Sequence, residues 1–347
     1  MARICRQSNY PKHSFAGKFS LSPYQHLLAQ CFQYTSMNPR IMRNLLISFL
    51  LLIAGTTYAQ NIQKVISGRI DHLENFQSKL IEPRSVDIWL PDGYDGKKKF
   101  AVLYMHDGQM LFDSTTTWNH QTWNMDDVAS KLMKDQKVQN FIVVGIYSIG
   151  EKRHANYFPQ KPFENLTKTE RDTVIKQLQK SGRSTEIFQP NSDNYLKFIV
   201  TELKPLIDKK YTVYTDRKHT FIAGSSMGGL ISMYAICEYP SVFGGASCIS
   251  THWIGTFSPD NNPVPEAFIK YLENNLPNPK NHKIYFDCGD RTLDVFYPPI
   301  QEKVDDVMKS KGFNSKNWTT RYFPGKDHSE KSWNERLDIP LMFLLQH

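Results

Sequence analysis

The stretch TFIAGSSMGGLISMYAI, residues 220–236, decides the fold. Its first four residues predict a short strand, its last seven predict a helix, and a Gly-x-Ser-x-Gly pattern at 224–228 lies between them. A tight strand-to-helix turn of this kind carries its central serine, Ser226, at the apex. Glycine suits the flanking positions because it tolerates dihedrals and close contacts that other residues do not. The Met227 amide would start the helix, beside the place where an oxyanion forms. Taken alone, the pattern also fits an ordinary glycine-rich turn.

Two later segments supply groups that could act with this serine. An apolar strand predicted at 283–286 leads into the acidic loop 287–294, and a strand at 320–323 leads into a loop that ends at His328. A serine hydroxyl becomes a good nucleophile when an imidazole accepts its proton and a carboxylate holds that imidazole in the right tautomer. The chain order serine, acid, histidine is that of α/β hydrolases.

A fourth segment lies upstream of the serine. Residues 100–105 form a continuous apolar run, which is typical of a strand buried on both faces of a parallel sheet. The run ends in HDGQ at 106–109, and the loop after this strand commonly provides the second oxyanion amide. Gly108 would let the Gln109 N–H turn inward. The alternative interpretation of this segment is a plain Asp-Gly turn.

These motifs together resemble those of one known family. HDGQ (106–109), GSSMGG (224–229), YFDCGDRTLD (285–294) and FPGKDHSEKSW (323–333) are similar to motifs of the putative-esterase family of α/β hydrolases. That family includes esterase D-like enzymes, enterochelin esterases, feruloyl and acetylxylan esterases, and mycobacterial mycolyltransferases. The resemblance covers roughly residues 65–345. It implies an α/β-hydrolase fold, with a mostly parallel, doubly wound sheet flanked by helices, and a serine carboxylic-ester hydrolase.

The resemblance also implies roles for particular residues. Ser226 matches the nucleophile, His328 the general base, and the amides of Met227 and Gln109 the oxyanion hole. The orienting acid matches Asp294 best, because Asp294 closes the family's Thr-Leu-Asp segment.

Two other carboxylates stay open as the orienting acid. Asp287 and Asp290 lie in the same loop as Asp294, and families of this kind vary in how far past the glycine the acid lies.

The beginning of the chain has the features of a secretory signal. Residues 42–59 combine a positive start, a short apolar centre and small residues, Thr57 and Ala59, at positions −3 and −1 of a cleavage site after Ala59. The apolar run is too short for a membrane span, which needs about 20 residues. We therefore expect a secreted or periplasmic protein whose mature part, 60–347, is one esterase domain without a membrane span. Residues 1–41 precede this signal. They are interpreted either as a non-native upstream extension, with Met42 as the true initiator, or as a genuine tail.

The charge and the cysteines exclude several function classes. The formal net charge is +8, but six basic residues and no acid precede the predicted cleavage point, which leaves +2 (8 − 6) on a mature chain. Nucleic-acid binding therefore loses its main support. We find no metal-ligand spacing and no glycine-rich phosphate loop, so neither a metal nor another cofactor is expected. Three cysteines of the mature part, Cys237, Cys248 and Cys288, lie in apolar segments and are expected to be buried.

The remaining segments alternate between strand and helix, which predicts a mostly parallel sheet. Two leading antiparallel strands, one further buried strand, one amphipathic helix and one closing helix are predicted. They are expected at 66–70, 86–90, 141–146, 191–208 and 333–345, the last bent or split at Pro340.

The substrate is the least constrained expectation. About thirty residues separate the strands predicted at 246–249 and 283–286, where larger hydrolases insert a cap domain, so we expect no large cap and an open site. Trp253, Arg153 and Tyr157 are candidates to line this site and would suit an acylated carbohydrate or an aromatic ester, although Tyr157 could equally pack a loop. Acyl transfer to a sugar hydroxyl, a siderophore-type esterase and a non-catalytic binding protein remain alternatives.

Overall fold

The computed structural model describes residues 62–183 and 188–346. The signal predicted at 42–59 and the extension at 1–41 lie outside the described residues, so both stay predictions.

An eight-stranded sheet forms the centre of the molecule. Its strands are β1 (Arg69–Phe76), β2 (Arg84–Leu90), β3 (Ala101–His106), β4 (Phe141–Ile146), β5 (Thr220–Ser225), β6 (Gly245–Ile249), β7 (Lys283–Cys288) and β8 (Trp318–Tyr322). Their spatial order is β1-β2-β4-β3-β5-β6-β7-β8. The pairs β1–β2 and β2–β4 are antiparallel, and every pair from β4 to β8 is parallel. The predicted α/β-hydrolase fold is confirmed.

The strand order places a crevice at the centre of the sheet. The strand that follows β3 in the chain, β4, lies on one side of β3. The later strands, β5 to β8, lie on its other side. In open α/β sheets, ligands bind outside the carboxyl ends of the strands at such a switch point. The loop after β3 and the turn after β5 therefore meet at this crevice.

Helices cover both faces of the sheet. In the described chain they are α1 (Met125–Lys134), α2 (Gly150–Tyr157), α3 (Gln160–Glu164), α4 (Lys168–Lys180), α5 (Ser192–Phe198), α6 (Lys204–Lys210), α7 (Met227–Glu238), α8 (Val264–Asn275), α9 (Pro298–Ser310), α10 (Glu330–Asn334) and α11 (Asp338–Leu345). None of the helices in this part of the chain is long and apolar enough to cross a membrane.

The core is divided by the sheet because side chains alternate along each strand. In β3, Val102 and Tyr104 belong to one cluster of buried side chains, and Leu103 and Met105 belong to the other. Both clusters are closed to solvent, which explains why β3 is a continuous apolar run in the sequence.

Two predicted helices differ from the structure. The helix expected at 191–208 is α5 and α6 joined by a π-helical segment, Ile199–Leu203. The closing helix is split into α10 and α11, but the break precedes Pro340, which lies in the first turn of α11. A proline is tolerated there because the first-turn N–H groups of a helix have no partner within the helix.

The β6–β7 connection contains one α-helix, α8, and a short 3-10 turn, Pro279–Asn281, in agreement with the prediction of no large cap at that place. A longer connection, between β4 and β5, carries α2 through α6 instead. Its first helix, α2, reaches the crevice and contributes to the site.

Candidate active site

The turn between β5 and α7 holds Ser226 in a strained conformation. Its φ of 57° and ψ of −122° are unusual for a residue with a side chain and cost about 1–3 kcal/mol. The Ser226 N–H donates to the Ile249 carbonyl (2.9 Å), and the Ser226 carbonyl accepts the His252 N–H (3.2 Å). A Cβ at Gly224 would lie 2.7 Å from the Gly228 carbonyl carbon, so only glycine fits there. The neighbouring strand and turn therefore impose this conformation, which carries a serine at the apex.

A histidine and a buried carboxylate meet beside this turn. Nδ1 of His328 lies 2.5 Å from Oδ1 of Asp294, whose side chain is fully buried. The other oxygen of Asp294 accepts the Ser250 hydroxyl and the Gly289 N–H, both at 2.7 Å. The His328 N–H donates to the Thr292 hydroxyl at 2.9 Å, which fixes the loop. A carboxylate held in this way favours the tautomer with the proton on Nδ1, so Nε2 can accept one.

Neither of the alternative acids contacts the imidazole of His328. Asp287 is fully buried and accepts two hydrogen bonds from Arg336, at 3.0 and 3.1 Å. Asp290 lies at the surface, where it accepts the Tyr322 hydroxyl at 2.9 Å. Asp287 therefore neutralises a buried cation, and Asp290 closes a surface loop.

Ser250 connects these groups and was missed in the sequence. Its hydroxyl donates to Asp294 and accepts from Trp333 Nε1 (2.9 Å) and Arg336 Nη2 (3.0 Å). Its N–H donates to Asp287 at 3.0 Å. The available signal was its position directly after β6, at the same sheet edge as the turn that holds Ser226.

The loop after β3 lies on the other side of Ser226. Asp107 has left-handed dihedrals (φ 56°, ψ 46°) and begins a short 3-10 turn over Gly108–Met110. A Cβ at Gly108 would lie 2.4 Å from the Gly145 carbonyl carbon, so the turn packs directly on β4. The Gln109 side chain donates to the Ser148 hydroxyl (2.7 Å) and accepts the Ser148 N–H (3.1 Å). The position of Gln109 is thus fixed through both its backbone turn and its side chain.

Arg153 of α2 holds the first residue of this loop. Its Nε and Nη2 each donate to one oxygen of Asp107, at 2.8 Å. Burial raises the pKa of Asp107, but the charge and hydrogen bonds of Arg153 outweigh it, so the net pKa is below the usual range. Arg153 lies at the cleft, as expected, and its guanidinium is committed to this ion pair.

Two of the expected substrate contacts are corrected by the structure. Trp253 is fully buried, donates through Nε1 to Gln301 (2.8 Å) and packs on Phe286. Tyr157 is also fully buried, and its hydroxyl accepts the Asp107 N–H at 3.2 Å. Both aromatic side chains belong to the core beneath the site, because each finds a partner for its polar atom there.

Ser226 and His328 line one cleft of about 810 Å³, together with Met227 and Gln109. Within the described chain, the His328 ring bonds to Asp294 alone, and Nε2 has no hydrogen-bond partner. Catalytic hydrogen bonds are often long in a free enzyme and tighten when substrate binds.

The rim of this cleft contains residues that sequence reasoning did not single out. Trp118 is 83 % exposed, and the Arg183 guanidinium lies 4.9 Å from the ring centre of Phe257. The loop of Trp118 is joined to the start of α10, since Asn119 donates to Glu330 at 2.8 Å. The one signal for Trp118 in the sequence was an aromatic residue within a polar stretch.

Buried histidines surround the cleft without taking part in the pair described above. Burial lowers the pKa of both His106 and His154 to about 3. Burial also lowers the pKa of His252. One ring nitrogen of His106 bonds to the Tyr195 hydroxyl at 2.8 Å, so this histidine is a neutral structural group.

No cluster of three or more histidine, cysteine, aspartate or glutamate side chains that could hold a metal occurs in residues 62–183 and 188–346. Cys237, Cys248 and Cys288 are buried, as predicted, and are also unpaired, and burial raises the pKa of each thiol.

Known proteins with similar sequences include members of an esterase family. The family described as "Putative esterase" matches residues 78–342. An endo-1,4-beta-xylanase/feruloyl esterase of Xylanibacter ruminicola is 24% identical over 276 residues, which are 78% of this chain and 30% of that protein. An uncharacterised protein of Bacillus subtilis, YbbA, is 28% identical over 172 residues, 49% of this chain and 58% of that protein. The chain thus spans between 30% and 60% of the length of the curated relatives it matches.

Solved structures share the fold. A ferulic acid esterase superposes with a TM-score of 0.57 at 21% identity, over 81% of this chain and 99% of that one. The CE1 ferulic acid esterase of Anaeromyces mucronatus gives 0.55 at 17% identity, over 83% and 94% of the two chains. The enterobactin esterase of Shigella flexneri gives 0.54 at 18% identity, over 80% and 59%.

Proposed function

Since this chain belongs to the putative-esterase family, we propose that it is a serine carboxylic-ester hydrolase. The observation that carries the proposal is the sharing of one cleft by Ser226, on its strained turn, and His328, whose Nδ1 lies 2.5 Å from the buried Asp294.

In the proposed mechanism, Ser226 Oγ attacks the ester carbonyl while His328 Nε2 takes the hydroxyl proton. Asp294 holds the imidazole and stabilises the imidazolium that forms. The oxyanion of the tetrahedral intermediate accepts hydrogen bonds from the N–H groups of Met227, at the start of α7, and Gln109. His328 then gives its proton to the leaving alcohol, and an acyl-enzyme remains. Water, deprotonated by His328, attacks the acyl group, and His328 then returns this proton to Ser226 Oγ as the acid is released and the free enzyme is restored.

We place esters of carbohydrates or of aromatic acids first among the substrates. The exposed ring of Trp118 and the Arg183–Phe257 pair offer flat surfaces at the cleft rim. The fold neighbours described as ferulic acid esterases and as an enterobactin esterase support ester substrates with aromatic rings, siderophore-type esters included.

Acyl transfer is the second candidate, and the size of the cleft favours it. A space of about 810 Å³ is large enough for an acyl group and a sugar acceptor together. Comparing product formation from a p-nitrophenyl ester with and without an alcohol acceptor separates transfer from hydrolysis.

The decisive test replaces the nucleophile and its neighbour. Ser226→Ala should lower turnover of a p-nitrophenyl ester by about 10⁶-fold. Ser225→Ala is the matched control and should keep most activity, because Ser225 ends β5 and does not occupy the apex of the turn. Substantial activity in Ser226→Ala, or an equal loss in Ser225→Ala, would contradict the proposal.

We further propose that the protein is exported and that the mature chain begins at Gln60. The support is the signal-like sequence of residues 42–59. N-terminal sequencing of protein from the native host tests this. A cytosolic chain that begins at Met1 or Met42 would overturn it.

A further inference from the structure

We propose that Gln63 is a positioning residue for the oxyanion hole, through the peptide group that joins Gly108 to Gln109. The inference rests on the proposed function, because it assigns a task to the Gln109 N–H. Gln63 lies outside every motif that the sequence analysis identified. Its side chain is nonetheless 3% exposed and lies directly behind the loop after β3.

The key contact is made with the carbonyl of this peptide. Gln63 Nε2 donates to the Gly108 oxygen at 2.8 Å. A peptide group is planar and trans, so its C=O and N–H point in opposite directions. A donor that fixes the Gly108 carbonyl therefore fixes the direction of the Gln109 N–H. The same carbonyl also accepts the Leu111 N–H, at the longer distance of 3.4 Å.

The other atoms of the Gln63 amide hold it in this orientation. Oε1 accepts the Phe112 N–H at 3.1 Å, which fastens the far end of the 3-10 turn. Nε2 also donates to Asp87 Oδ2 (2.7 Å) and lies 3.0 Å from the Tyr147 hydroxyl, which itself donates to Asp87. Asp87 is fully buried, and its second oxygen lies 2.5 Å from Nδ1 of His72. The amide of Gln63 is thus anchored by a fixed carboxylate.

This arrangement affects both the geometry and the strength of the proposed oxyanion donor. Hydrogen bonds in a chain polarise one another, so a donor to the Gly108 carbonyl makes the Gln109 N–H a stronger donor. The Gln63 amide also lies between the Asp87 carboxylate and the peptide, with one N–H directed at Asp87 and the other at the Gly108 oxygen.

Anchoring of the segment that contains Gln63 does not depend on this side chain. The Lys64 N–H donates to Asp113 (3.0 Å), and the Ile66 N–H donates to Asp126 (2.6 Å). A role restricted to fastening this segment would therefore leave catalysis unchanged when the Gln63 amide is replaced.

Two substitutions at Gln63 test the inference. Gln63→Met removes both hydrogen-bonding functions at similar length. Gln63→Glu keeps an oxygen that can accept the Phe112 N–H. Because the new carboxyl group is buried beside Asp87, it takes up a proton. Its one O–H donates to the Asp87 carboxylate, so no donor remains for the Gly108 carbonyl. Gln301→Leu is the matched control. It also removes a buried glutamine with side-chain partners, here Trp253, Asp305 and, at 3.5 Å, Thr320.

Removal of an oxyanion donor costs about 10²–10³-fold in turnover, and a misdirected donor costs part of this. We expect both Gln63 variants to lower kcat on p-nitrophenyl acetate about 10- to 100-fold with KM nearly unchanged. The Ki of a boronic acid, whose adduct with Ser226 places an oxyanion in the hole, should rise by a similar factor. Amide hydrogen exchange in the 105–113 peptide should become faster. Gln301→Leu should keep kcat and Ki within a few-fold.

Thermal melts establish that each variant is folded at the assay temperature. If Gln63→Met is not folded there, the test rests on Gln63→Glu. Wild-type kcat and Ki in a folded Gln63 variant would overturn the inference, as would equal losses in Gln301→Leu. These results differ from failure of the proposed function itself, in which Ser226→Ala retains the activity of the wild type.

Discussion

Replacing Asp294 by asparagine tests the proposed orienting acid most directly. The asparagine oxygen can keep the hydrogen bonds from Ser250 and Gly289, now at 2.7 Å, while its NH₂ group faces Nδ1 of His328. Nδ1 must then accept, the ring proton moves to Nε2, and the imidazole cannot take the proton of Ser226. We expect kcat to fall by about 10⁴-fold, as for the same change in a well-studied serine protease, which corresponds to about 5.4 kcal/mol in the barrier.

The assay compares three variants on one activated ester, with thermal melts of each. Asp290→Asn should be within a few-fold of wild type, because this carboxylate contacts Tyr322 and not the imidazole. Asp287→Asn should lower the free energy of unfolding by about 3–5 kcal/mol, because it leaves Arg336 buried without its counter-ion. The molecules that stay folded should still hydrolyse the ester. A severe Asp290→Asn defect beside a nearly normal Asp294→Asn variant would refute the assignment.

Two further predictions concern the cleft rim and the dependence of stability on pH. Trp118→Ala should raise KM for sugar or aromatic esters about 3- to 10-fold by loss of stacking. The melting temperature should stay unchanged, because Trp118 is 83 % exposed. An equal effect on KM for p-nitrophenyl acetate would contradict a stacking role. His106 and His154 have pKa values lowered from 6.5 to about 3 in the folded protein, so only the unfolded chain takes up protons as pH falls below 6.5. These two histidines alone should therefore lower the free energy of unfolding by about 2–3 kcal/mol between pH 7 and pH 5.5, and equal urea midpoints at the two pH values would show that they titrate normally.

Much of the site's neighbourhood could be predicted because parallel strands end at one edge of the sheet. Ser226, Asp294 and His328 each follow a strand of the same parallel set, so strand prediction alone brings them to that edge. The choice between three nearby aspartates needed the structure, because it depends on which carboxylate the loop turns inward.

The substrate contacts were harder to predict because exposure of an aromatic side chain is a tertiary property. Trp253 follows β6 closely and looked available, yet Gln301, from a distant helix, takes its N–H. The polar stretch around Trp118 is the one sign of its exposure in the sequence, and it does not distinguish an exposed ring from a packed one. Gln63 could not be recognised either, since its contact with Gly108 spans 45 positions of the chain.

The hydrogen bonds of Ser250 imply that ester turnover is lost at a lower temperature than the folded structure. Its hydroxyl is the junction between Asp294 and two side chains, Trp333 and Arg336, that lie at and just beyond α10. Detachment of this short helix would remove the two donors that orient the Ser250 hydroxyl toward Asp294, and would so loosen this carboxylate while the sheet stays intact, because local openings cost less free energy than global unfolding. On slow heating, ester turnover should therefore be lost reversibly some degrees before the circular dichroism of the sheet changes, and calorimetry alone would overstate the working range of the enzyme.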